Sequence, residues 1–148
     1  MNFRTTRAEI DVDALSANAN WVRQQIGTGK LLGIVKADGY GHGVGAVCDV
    51  LAPCVDAFGV GFTDEAVALR DAHTSSDKPV LILEGCQSIA ELEVAAENNF
   101  WVVIHSLYQL ELLEQAKLAR PLCVWLKIDT GMHRLGLELA AVESFLVR

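Results

Sequence analysis

The chain has 148 residues, 51% hydrophobic and 21% charged, with 12 basic against 19 acidic side chains and a net charge of −7. That balance supplies one compact core and excludes a disordered chain, and the acidic surplus argues against nucleic acid or an anionic membrane as a partner. No apolar run reaches the ~18 residues of a membrane span, Met1 to Arg7 lacks an apolar signal segment, and Cys48, Cys54, Cys86 and Cys123 show no CxxC or metal-type spacing, so a cytoplasmic chain with reduced core thiols is expected.

In chain order, Ala8 to Val12 reads as a short extended piece before a helix that carries Leu15, Val22 and Ile26 on one face. Five apolar runs then read as strands: Leu31 to Lys36, Ala57 to Phe62, Val80 to Leu83, Trp101 to His105, and Leu122 to Ile128. Most are continuous rather than alternating, the pattern of strands buried on both faces of a parallel sheet. Helical stretches lie between them, including Val44, Val47, Cys48 and Leu51 at i, i+3, i+4, i+7 spacing. Ser88 with Glu91 and Ser106 with Gln109 fit capping boxes, and Asp64 and Glu65 favour a helix N-terminus electrostatically. A last helix is expected from about Glu138, with Leu139, Val142 and Leu146 on one face; it runs to Arg148 without a stop signal, as in a chain cut within a longer protein.

Strand starts at 31, 57, 80, 101 and 122 make a repeating strand-plus-helix unit of 21 to 26 residues, hence a parallel α/β fold without an internal linker. Two architectures satisfy the repeat: an open doubly wound sheet, or part of an eight-stranded barrel of about 250 residues. Periodicity does not separate them.

Two runs each follow a strand and open a helix, which places both on the edge where α/β folds carry their chemistry. In the first, Val35-Lys36-Ala37-Asp38-Gly39-Tyr40-Gly41-His42-Gly43-Val44-Gly45, the glycines permit positive φ and the following helix N-terminus offers amides to a phosphate. Lys36 is placed to form a Schiff base with an aldehyde, against the alternative of an ordinary solvated lysine. Tyr40 either bonds a phosphate or caps the mouth of the fold, and His42 either moves protons or bonds within its loop. The spacing Gly41-x-Gly43-x-x-Ala46, with Asp64 further on, also fits a loose dinucleotide fingerprint, although its first glycine stands several residues beyond the strand.

In the second run, Lys127-Ile128-Asp129-Thr130-Gly131-Met132-His133-Arg134-Leu135-Gly136, Arg134 offers a forked donor to a carboxylate or phenolate, or else pairs with Asp129. Lys127 either pairs with an acid or loses its charge, and Met132 reads as a packing residue.

Together, in this order, and with Ala8-Glu9-Ile10-Asp11-Val12 and Phe58-Gly59-Val60-Gly61, these runs resemble the alanine racemase family from about Arg7 onward. The resemblance implies a partial (β/α)8 TIM barrel, the first five βα units, as an N-terminal pyridoxal 5'-phosphate-binding domain over residues 1–148. The family's C-terminal β domain would be absent. It implies interconversion of L- and D-alanine, supplying D-alanine for peptidoglycan, by a homodimer that shares each active site. Lys36 would hold the cofactor and then act as one of two opposed bases, Tyr40 would help bind its phosphate, and Arg134 would meet its phenolic oxygen and the substrate carboxylate. Lys127 matches a position carbamylated in many members, where the modification would turn a repelling cation beside Arg134 into an attracting anion. The opposite base belongs to the C-terminal domain of the partner subunit, so the chain alone is expected to be catalytically deficient, with exposed strand edges that invite self-association. A non-catalytic cofactor-binding module and a nucleotide-binding open α/β domain are the alternatives.

Overall fold

The computed structural model describes residues 6–72 and 77–148; the Met1 to Thr5 portion of the stretch read for a signal segment lies outside them. After irregular backbone through Asp11, helix α1 (Val12–Ile26) starts where the Asp11 carboxylate accepts a hydrogen bond from Ala14 N at 2.9 Å. Leu15, Val22 and Ile26 lie on its half-buried side, as their spacing predicts. The remaining elements are β1 (Leu32–Ile34), a left-handed turn α2 (Lys36–Gly41), α3 (Val44–Leu51), β2 (Ala57–Val60), α4 (Thr63–Ala72) and β3 (Val80–Ile82). Then come α5 (Ile89–Glu97), β4 (Trp101–Ile104), α6 (Leu107–Gln115), β5 (Cys123–Leu126), a 3-10 turn (Leu139–Ala141) and α7 (Val142–Leu146).

All ladders are parallel and the strand order is β1-β2-β3-β4-β5. A doubly wound sheet reverses its order at a switch point and carries helices on both faces. Here the order never reverses. The cluster that packs against the helices also lies on one face, where Val35, Phe58, Val60, Ile82 and Val102 meet Leu15 of α1, Leu51 of α3, Val67 of α4 and Leu112 of α6. One-sided helices over a sequential parallel sheet form an arc of a (β/α)8 barrel, which decides between the two architectures and removes the structural basis of the dinucleotide reading.

Phe58 and Phe100 are each 1% exposed, and burial of such a side chain contributes about 1.5–3 kcal/mol. The register puts Ile34, Gly59, Leu81, Trp101 and Cys123 in one layer on the opposite, inner face. On that face Trp101 stacks on Trp125 with ring centroids 5.8 Å apart.

Continuous burial holds for β2 and β3, whereas β5 is largely exposed. An apolar run reports what a strand prefers to bury, and β5 has a ladder neighbour on one side only among the described residues. The last helix shows the same difference: it is split into a 3-10 turn and a short α7, and Leu139 and Leu146 are 76% and 72% exposed. Its anchor is polar, a two-pronged ion pair from Arg148 to Glu114 on α6 at 2.8 and 2.6 Å. Both capping serines work as predicted at their own helices, but the returning side chains reach one residue further back, Glu91 to Gln87 N and Gln109 to His105 N.

Candidate functional site

The β1 ladder ends with Val35 N donating to Gly59 O at 2.8 Å, and Lys36 follows at the C-terminal edge of the sheet. Its side chain is half-buried and has no hydrogen bond or ion pair among the described residues. Gly61, directly after β2, flanks it: a Cβ there would stand 3.9 Å from Lys36 Cβ and 3.0 Å from Glu65 Oε2, so glycine leaves that space to the Glu65 carboxylate.

Beyond Lys36 the chain makes a left-handed turn, with Ala37, Asp38, Gly39 and Tyr40 all at φ between 52° and 62°. This conformation costs about 1–2 kcal/mol for each residue that is not glycine, so it persists only where its surroundings hold it. Gly39 N donates to Val35 O at 2.9 Å and Gly43 N to Asp38 O at 3.0 Å. From outside the turn, Glu65 of α4 accepts from Ala37 N at 2.7 Å with Oε1 and from Gly61 N at 2.6 Å with Oε2.

The Asp38 carboxylate accepts from Val44 N at 2.8 Å, at the start of α3. One of the amides that this helix end would offer a phosphate is therefore already bonded to an anion, which would repel a second negative charge beside it. Tyr40 is 59% exposed and its hydroxyl has no partner among the described residues. His42 takes the local role, its Nδ1 lying 3.0 Å from Tyr40 O.

On the other side of the arc, Lys127 follows β5. Its Nζ donates to Leu83 O at 2.9 Å, so of the two alternatives the amine does not take an acid as partner but meets a carbonyl. The loop from Asp129 to Gly136 is closed at its neck by Asp129 N to Leu137 O and Leu137 N to Lys127 O, both 2.9 Å. Gly136 at φ 121° makes that closure possible, since a Cβ there would fall 2.6 Å from Asp129 N. Within the loop, Asp129 accepts from Gly131 N at 2.9 Å and His133 N at 3.1 Å, and its Oδ2 lies 2.9 Å from His133 Nδ1. The Gly131 and His133 amides hold the Asp129 carboxyl below the usual range.

Asp129 therefore pairs with His133, not with Arg134. The Arg134 guanidinium is exposed and has no partner among the described residues. Lys127, Asp129, Met132 and Arg134 line a cavity of about 200 Å³ that does not include Lys36 or Tyr40. All four predicted residues thus lie along the strand-end edge, in two groups, with the ends of β2, β3 and β4 between them. A cavity of about 800 Å³ opens between α4 and α5, lined by Phe62, Asp64, Val67 and Glu91 and by none of Lys36, Tyr40, Lys127 and Arg134.

No group of side chains suited to a metal ion occurs among the described residues. Burial pushes the Cys48 thiol up to about 12 and the Cys86 thiol up to about 11, so neither supplies a thiolate at neutral pH. Cys123, expected in the core, is exposed on β5.

Glu65 and Gln109 were not singled out as site residues from the sequence. Their signal was present but pointed elsewhere: an acid and an amide in first helical turns read as capping groups, whereas Glu65 also grips the turn after Lys36 and buried Gln109 donates to Glu84 O at 2.8 Å.

A barrel arc with a lysine closing its first strand and, beyond its fifth, an arginine without a partner among the described residues defines an α/β-barrel protein with its polar groups at the C-terminal strand ends. Comparison with known sequences narrows the class, because the profile of the family "Alanine racemase, N-terminal domain" matches residues 10–148. The chain belongs to that family. It is 51% identical over 135 residues to an alanine racemase of Pseudomonas savastanoi pv. phaseolicola, covering 91% of this chain and 37% of the relative. The solved alanine racemase of Acinetobacter baumannii superposes with a TM-score of 0.83 at 38% identity, over 93% of this chain and 39% of that one. That of Bartonella henselae, described with covalently bound pyridoxal phosphate, gives 0.79 at 25% identity, over 94% of this chain and 41% of that one. The chain thus spans roughly two fifths of the length of these proteins.

Proposed function

We propose that residues 1–148 are the lysine-bearing barrel portion of a pyridoxal-phosphate-dependent alanine racemase, and that Lys36 is the residue to which the cofactor attaches. The observation that carries this reading is the Lys36 amine: half-buried at the sheet edge and without a partner among the described residues.

The residues present suit the cofactor's groups. A primary amine meets an aldehyde, the Tyr40 hydroxyl is available to a phosphate, and the forked Arg134 donor is available to a phenolic oxygen or a substrate carboxylate. Pyridoxal phosphate, when bound, supplies the electron sink for the pair left on the α-carbon. The chain's own part is to orient alanine through Arg134 and to take up or return the α-proton at Lys36 Nζ.

Inversion needs a second base on the opposite face. Tyr108 does not suit that task, since its hydroxyl donates to Gln87 O at 3.0 Å. The second base, and with it full turnover and the shared homodimeric site, therefore belongs in this reading to residues other than these. Lys127 is the carbamylation position: as an anion it would give Arg134 a partner in the cavity they share.

The test is to incubate the chain with pyridoxal phosphate, reduce with borohydride and locate the added mass by peptide mapping. Label at Lys36 that disappears in Lys36→Ala is the expected result. Equal labelling of the variant, or label spread evenly over surface lysines, would sink the assignment.

A further inference from the structure

We infer that Glu65 is a positioning residue for Lys36, acting through the backbone on either side of the site; its bearing on chemistry rests on the function proposed above. One carboxylate joins two segments that the sequence keeps apart. Its Oε1 takes Ala37 N, the amide directly after Lys36, and its Oε2 takes Gly61 N, the amide of the residue flanking Lys36, with Phe62 N further off at 3.4 Å. Neither the Ala37 nor the Gly61 amide has another acceptor among the described residues.

The ends of β1 and β2 are therefore clamped at the point where the chain leaves the ladder and turns left-handed. Ala37, Asp38 and Tyr40 pay a steric penalty in that turn. Without the clamp, the relaxed alternative is an ordinary loop, in which the Cα–Cβ bond of Lys36 changes its direction relative to Gly61. Hydrogen bonds to an ionised acceptor are the strong kind, and a side chain on a buried helix holds them more rigidly than a loop residue does. Glu65 is well suited to this because α4 is fixed by Ala66 and Leu69, which are 0% and 2% exposed.

Glu65→Ala removes both acceptors, while Glu65→Gln keeps the shape and one acceptor and turns its amide donors toward the other backbone N–H. Three measurements on the 148-residue chain and these variants test the inference. Hydrogen exchange at the Ala37 and Gly61 amides should accelerate at least about tenfold in Glu65→Ala, the equivalent of one hydrogen bond to a charged acceptor. At least one of the two should accelerate in Glu65→Gln, with the Val102 amide of β4 unchanged as a control for folding. Reductive methylation with formaldehyde, a small probe limited by access, should rise at Lys36 relative to exposed Lys30 by about threefold as the turn loosens. Labelling with pyridoxal phosphate, which needs the amine aimed, should fall at Lys36.

Unchanged exchange in Glu65→Ala would overturn the inference. So would faster exchange with unaltered Lys36 methylation and labelling, since Glu65 would then be a staple and nothing more. If the parent chain takes no pyridoxal phosphate at Lys36 while the variants still raise methylation there, the positioning stands and the proposed function falls.

Discussion

Lys127 Nζ, at the end of β5, donates to the carbonyl oxygen of Leu83, at the end of β3, at 2.9 Å, so its side chain passes over the end of the intervening strand β4. The same lysine lines the cavity that Arg134 also lines. Carbamylation would replace this donor by an acceptor, which breaks the bond to Leu83 and gives the guanidinium an anion. Mass spectrometry under native conditions near neutral pH should show one carbon dioxide added at Lys127, increasing with bicarbonate and absent in Lys127→Ala. A bare amine at saturating bicarbonate removes Lys127 from the steering of Arg134.

The loop that presents Arg134 depends on a glycine. In Gly136→Ala the added Cβ would meet Asp129 N at 2.6 Å and Ile128 C at 2.9 Å, on a backbone at φ 121°. The neck formed by Asp129 and Leu137 should open, with a loss of more than about 1 kcal/mol in denaturant unfolding and faster proteolysis between residues 129 and 136. A stability within error of the parent would show that the loop closes in some other way.

Acid should loosen the joint between α1 and the start of the sheet. The Leu31 amide at 2.7 Å, then Arg23 at 2.7 Å and Lys30 at 3.1 Å, hold the Asp56 carboxyl well below its usual range. Its folded value lies below its unfolded one, so the stabilisation is complete above the ordinary carboxylate range and is lost as pH falls through the folded value. Asp56→Asn should lower the urea midpoint at neutral pH and flatten its decline in acid. Parallel midpoint curves for parent and variant would count against Asp56 as a source of the acid dependence.

Much of the fold was legible because its signals are local. The five strands and the helices α1 and α3 were readable from apolar spacing, α4 from the acids Asp64 and Glu65, and α5 and α6 from Ser88 and Ser106, which cap them as expected. Lys36 and Arg134 stood out for a similar reason: each lies in a glycine-bearing run after a strand, where the residue types announce the chemistry.

Strand order and sidedness could not be read this way. An apolar run records how much of itself is buried, not which strand lies beside it, so only the register showed that the order never reverses and that Val35, Phe58 and Val60 share one covered face. The partners of the polar groups were equally hidden, since Glu65 and Ala37, or Lys127 and Leu83, are 28 and 44 positions apart and meet only through parallel ladders. The sequence by itself therefore determined the repeating βα unit and the two runs that carry the chemistry. The tertiary structure bore out the barrel arc that the family resemblance implied and periodicity left open, and it alone decided the left-handed turn and the pairing of Asp129 with His133 in place of Arg134, because long-range hydrogen bonds follow register, which no short window of residues contains.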